Sequence, residues 1–304
     1  MRSLLIVLVS ITVIGTTACH SSGSGSKKKE SFNIPDSILN EEPAAMLEEE
    51  VTADIIDNLA SPVEIAGMLN DLKIPYSNRY LYPAKNVSGF NTDIQKATAL
   101  GVYGADLGYQ SMYGENTAIL DYISNIKKLS EDLKIGQFFD FSTLKRLSAS
   151  KGDLDSLMFL AVKSFNDIDK YLRGKHRGEI SAMIISGVWM EGMYLATQVQ
   201  KDYPHAELKE RIGEQKIIKE DLFTLLGRYK KNKEVKNLMS RLEPLKALFQ
   251  QVSITIIPGE PETVEKDGRL VVIQHEESKI EYPDELLQKI IKETADIRNG
   301  IVNK

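Results

Sequence analysis

The chain has 304 residues, with 38 lysines and arginines against 43 acids and a net charge of −5. Such a balance excludes the basic surplus of a nucleic-acid binder. Apolar residues at 42% and charged ones at 27% exclude wholesale disorder. A single cysteine excludes an internal disulfide, a cysteine-rich zinc site and a CxxC redox pair.

Met1-Arg2 places one positive charge ahead of an uncharged run, whose apolar heart Leu4–Ile14 is only eleven residues long. At about 1.5 Å per residue, that run is too short to span a bilayer core of roughly 30 Å. A charged start, a short apolar stretch and small residues describe a secretory signal over residues 1–18. The small residues Gly15-Thr16-Thr17-Ala18 precede Cys19, so the segment resembles a bacterial lipobox. Thr16 stands where leucine is usual. The lipobox resemblance implies a lipid on Cys19, and ordinary cleavage after Ala18 is the alternative. Residues 19–42 read as a tether: His20–Ser26 is Gly/Ser-rich, and Lys27-Lys28-Lys29 follows. The residue after Cys19 is not Asp, which by resemblance to known lipoproteins directs the chain to the outer membrane, facing the periplasm.

Residues 43–304 read as one mainly α domain of antiparallel helical hairpins. Ser61-Pro62 has the form of a helix start. Residues 70–89 carry Pro75, Pro83, Tyr76, Tyr80 and Tyr82 and read as an aromatic connection. Helices are predicted over residues 92–113, 115–133, 153–172, 179–200, 205–229 and 233–250. Gly and Pro punctuate most of the short connections between them. A β insert follows at about 252–276, opening with Val252–Ile257 and turning at Asp267-Gly268. The apolar stripe Leu286, Leu287, Ile290, Ile291, Ile297 and Ile301 predicts a final amphipathic helix after Pro283-Asp284.

Two of these helices are short of charge. Ala97–Gly114 holds only Asp106, and Ile180–Gln200 only Glu191. Both are predicted to form the centre of the fold, covered on most sides. A mid-helix carboxylate and several polar residues make a membrane span unfavourable for the second. The two also echo each other: Gly101-Val102-Tyr103 against Gly187-Val188-Trp189, and Asp106 before Tyr109 as Glu191 before Tyr194. On a helical projection Gly101, Gly104, Ala105, Gly108 and Met112 share a side, where a second backbone could come close. An acid buried in such a helix must be paired, hydrogen-bonded or protonated.

The segments Gly101-Val102-Tyr103-Gly104-Ala105-Asp106-Leu107-Gly108-Tyr109 and Ser186-Gly187-Val188-Trp189-Met190-Glu191-Gly192-Met193-Tyr194 resemble recurring segments of a family of mostly helical lipoproteins from Bacteroidetes-type bacteria. The resemblance runs from about Asp93 to Gly300 and includes Ala295-Asp296-Ile297-Arg298-Asn299. It implies a helical fold and an envelope location, and no particular activity.

Catalytic motifs are not found. Ser148-Ala149-Ser150-Lys151 matches an SxxK pattern, but no Ser-Asp-Asn or Lys-Thr-Gly accompanies it. His176 and Glu179 have a metal-pair spacing, yet Arg173–Gly178 is more simply a helix end, with cations and glycine complementing its dipole. The expectation is a non-catalytic binding or scaffolding lipoprotein with no metal and no cofactor. Its partners are then the membrane, through the lipid, and an envelope protein. The alternative is a small-molecule or cation site between helices 92–113 and 179–200, built from Asp106, Tyr109, Glu191 and Tyr194. Whether the two acids share a site is left open by the sequence.

Overall fold

The computed structural model describes residues 68–69, 71–115, 119–148, 154–266 and 269–302. The signal, Cys19, the tether and Ser61-Pro62 lie outside them, as do the Asp267-Gly268 turn and most of the SxxK match. The described chain is mainly helical. Its helices are α1 (Asp93–Tyr113), α2 (Ile119–Asp132), α3 (Phe141–Ser148), α4 (Leu154–Gly174), α5 (Gly178–Asp202), α6 (Ala206–Arg228) and α7 (Lys233–Gln250). Strands β1 (Ser253–Lys266) and β2 (Arg269–Glu281) follow, and α8 (Asp284–Val302) ends the chain. Two short 3-10 turns, Asn78–Tyr80 and Ala84–Gly89, shape the aromatic connection before α1.

Local chemistry sets the ends of the central helix. The Thr92 hydroxyl accepts from the Gln95 amide at 3.2 Å, taking one of the first-turn amides that a helix leaves unpaired. At the other end Gly114 adopts φ 65°, and its amide closes on the carbonyls of Gln110 and Ser111. Helix α3 was not anticipated from the pattern, since eight residues are too few for a periodic signal. Asp140 starts it by accepting from the Thr143 amide at 3.0 Å.

The two charge-poor helices form the middle of the helical body. Nearly every residue from Ala97 to Ser111 is buried, as is most of α5. Among the described helices, α5 is long and apolar enough to cross a membrane, but 89% of its most apolar window is buried against the rest of the chain. Its apolar surface therefore serves the core.

Helices α1 and α5 run side by side in the same direction. Their starts are joined by Arg177 and Asp93 at 3.1 Å. A Cβ on Gly101 would fall 2.1 Å from the Ile184 carbonyl oxygen, and one on Gly187 would fall 2.1 Å from the Thr98 carbonyl oxygen. The two backbones thus touch at the echoed glycines, one turn before the echoed acids. The expected face of small residues is used only in part. Gly104 looks onto open space, with nothing within 4 Å of the place a Cβ would take.

Residues Ile254–Lys279 of the β hairpin group apart from the helical body. The two strands pair as a two-stranded sheet. Ile256 and Ile257, neighbours on opposite faces of β1, are both exposed.

Candidate functional site

Asp106 and Glu191 meet in the core, and both are 0% exposed. Their meeting follows from the shared direction of α1 and α5 and from the glycine contact that lets the helices close. The third member of the site comes from α8. Arg298 donates through Nη2 to Glu191 Oε1 at 2.6 Å and through Nε to Glu191 Oε2 at 2.8 Å, a two-point grip. Its guanidinium lies between two rings, 4.3 Å from the centroid of Tyr194 and 5.2 Å from that of Tyr82.

The connection before α1 closes the site from the other side. The Tyr82 amide donates to Asp106 Oδ2 at 2.9 Å. The Tyr82 hydroxyl donates to the Val302 carbonyl at 2.8 Å, and the Tyr82 carbonyl accepts from the Tyr122 hydroxyl at 2.8 Å. One residue of an irregular segment is therefore tied to α1, α2 and α8 at once.

Two carboxyl groups and one guanidinium cannot balance unless one acid keeps its proton. Burial first, and then the charge of Glu191, push the Asp106 carboxyl well above the usual range, against Arg298 and the Tyr82 amide. Burial also raises Glu191, while Arg298 opposes the rise through its charge and hydrogen bonds. For Arg298, burial works against the charged form, but Glu191 and Asp106 outweigh it and hold the guanidinium cationic. Each carboxyl also acts on the other, Glu191 raising Asp106 and Asp106 lowering Glu191, which puts the retained proton on Asp106. Asp106 Oδ1 is buried and has no hydrogen-bond partner among the described residues. The site is accordingly one neutral acid, one carboxylate and one cation, with a single retained proton.

Of the four residues expected to form a pocket, the structure brings three together. Glu191 and Tyr194 contact Arg298, and Asp106 lies within the reach of both charges. Tyr109 goes elsewhere: its hydroxyl accepts from the Ser77 amide at 3.2 Å, and its ring stacks on Tyr76 and leans on Tyr113. Burial pushes the Tyr109 phenol up to about 12. Glu191 is held by the chain's own arginine, and Asp106 beside it by the Tyr82 amide.

Arg298 was missed by the motif reading, although a signal for it existed. It stands one turn after Thr294 and two turns after Ile291, inside the apolar stripe of α8. A charge within a buried stripe requires a buried partner. Two further buried polar links tie neighbouring helices: Ser181 donates to Asp169 at 2.7 Å, and Trp189 to Gln215 at 3.0 Å.

No group of three or more His, Cys, Asp or Glu side chains able to hold a metal occurs among the described residues. His176 sits in the left-handed region at φ 56°, in the turn between α4 and α5, as the helix-end reading requires. A separate cleft of about 260 Å³ lies between the start of α1, helix α7 and the end of α8, and neither carboxylate lines it. No family model, no curated protein and no solved structure matches this chain.

Proposed function

We propose that this chain is a non-catalytic lipoprotein of the cell envelope, anchored through Cys19 and acting as a binding or scaffolding module. The lipobox-like segment, the lone cysteine at its end and the tether after it support the anchor. The resemblance to mostly helical lipoproteins of Bacteroidetes-type bacteria supports an envelope location, and His20 rather than Asp after Cys19 supports an outer membrane with the folded body in the periplasm.

The non-catalytic part rests on one observation, the two-point grip of Arg298 on Glu191. This pair of acids is enclosed, Glu191 held by Arg298 and Asp106 by the Tyr82 amide. General acid–base chemistry needs a group within reach of a substrate proton, and these acids are 0% exposed, facing Arg298, the Tyr82 amide and each other.

Two measurements test the reading. Cells making the chain are fed labelled palmitate; the label is expected on the wild-type chain and absent from Cys19→Ser. A mature chain with a free Cys19 thiol overturns the anchor. For the body, Asp106→Asn and Glu191→Gln are scored in any assay of turnover. A reaction abolished by both substitutions in a folded protein overturns the non-catalytic reading.

A further inference from the structure

We infer that the cleft between α1, α7 and α8 is a binding site for a short zwitterionic peptide of about three residues with apolar side chains. The inference deepens the binding half of the reading above and rests on it, but uses none of the residues of the buried acid pair.

The floor of the cleft is apolar, with Phe90, Ile94, Met183 and Leu238 lining it. Its polar side is one face of α7, on which Glu234, Asn237 and Arg241 stand at successive turns. Each end of that face is held in place and keeps capacity to spare. Glu234 Oε2 accepts from the Thr92 hydroxyl at 2.9 Å, and Arg241 Nη1 donates to the Gly300 carbonyl at 3.0 Å. Arg241 Nε donates to Asn237 Oδ1 at 3.5 Å, which leaves the Asn237 amide hydrogens to a ligand; among the described residues, Glu234 Oε1 and Arg241 Nη2 make no hydrogen bond and neither side chain has an ion pair. A negative and a positive group thus flank an apolar bed, with the amide of Asn237 between them.

Spacing selects the length of the occupant. Seven residues along a helix separate Glu234 from Arg241 by about 10 Å. Three extended residues cover about the same distance. A free amino group can then face Glu234 and a free carboxylate Arg241, while Asn237 meets a middle peptide group and apolar side chains cover the floor. A singly charged amphiphile such as a fatty acid fits less well. It would satisfy Arg241 but strip water from Glu234 without replacing it, which is costly.

The test is a titration of the full chain in lipid nanodiscs with the tripeptide Ala-Leu-Ala, followed by calorimetry, with empty nanodiscs as the blank. The same titration is run with the N-acetylated peptide, the C-amidated peptide and octanoate. Saturable binding of the free peptide is expected, weakened at least tenfold by blocking either end. Glu234→Gln is expected to erase the preference for a free amine alone, and Arg241→Gln the preference for a free carboxylate alone. Thermal melting of each variant checks the fold, and the blocked peptides test the idea on the unaltered protein. Equal binding of blocked and free peptides, tighter binding of octanoate, or no saturable binding each overturns the proposal. Palmitate labelling at Cys19 does not involve this cleft, so a failure here is distinct from a failure of the anchor.

Discussion

Glu191 and Arg298, 107 positions apart in the chain, are joined by two hydrogen bonds in a space from which water is excluded. The pair pins the last helix to the central one. Removing Arg298 leaves Glu191 as an uncompensated buried charge, whereas removing Glu191 lets Asp106 ionise beside Arg298. Arg298→Met should therefore cost about 3–5 kcal/mol and Glu191→Leu less, while the double substitution should recover much of the loss of Arg298→Met. A double-mutant cycle in chemical denaturation measures the coupling. Additive losses would show that the pair does not hold α8.

Asp106 predicts a particular pH dependence. Its unfolded value is the ordinary one, near 3.9, and its folded value is raised by burial and by Glu191. Above about pH 4 the folded chain thus keeps a proton that the unfolded chain has lost. This contribution to stability is complete below that pH and declines as pH climbs towards the folded value, by about 1.4 kcal/mol per unit. Asp106→Asn keeps a donor towards Glu191 and removes the titration. Stability of this variant relative to wild type should rise as pH increases from about 4 to 7, as read from denaturation midpoints. A constant difference would contradict the retained proton.

The crossing of α1 and α5 can be tested with three glycines. Gly101→Ala and Gly187→Ala push a methyl group into backbone and should each cost about 1–3 kcal/mol or more. Gly104→Ala meets open space within the same helix. It should be neutral or stabilise by about 0.5–1 kcal/mol, since alanine favours the helix. Thermal melts of the three variants separate a close approach from a general preference for glycine.

The echoed tyrosines should respond differently. Tyr194→Phe keeps a ring over Arg298 and should be nearly silent, whereas Tyr194→Leu should lose about 0.5–2 kcal/mol. Tyr109→Phe removes the acceptor of the Ser77 amide and should cost about 1 kcal/mol. Equal effects of Phe and Leu at position 194 would remove the ring–cation contact from the account.

By itself the sequence determined the helical class, most helix limits and the late hairpin, because capping residues, glycines and the period of apolar residues act over a few neighbours. It also marked α1 and α5 as central, since a span with one charge in about twenty residues can be accommodated only where the rest of the chain covers it. The tertiary structure decided the direction in which those helices run, which glycines touch, and the parting of Tyr109 from Tyr194. It alone supplied Arg298 as the partner of Glu191 and gathered Glu234 and Arg241 beside the apolar residues of α1 and α5. Those relationships join positions scores of residues apart. Their energy comes from excluding water around a particular packing, and no local pattern encodes which distant side chain will be on the other side.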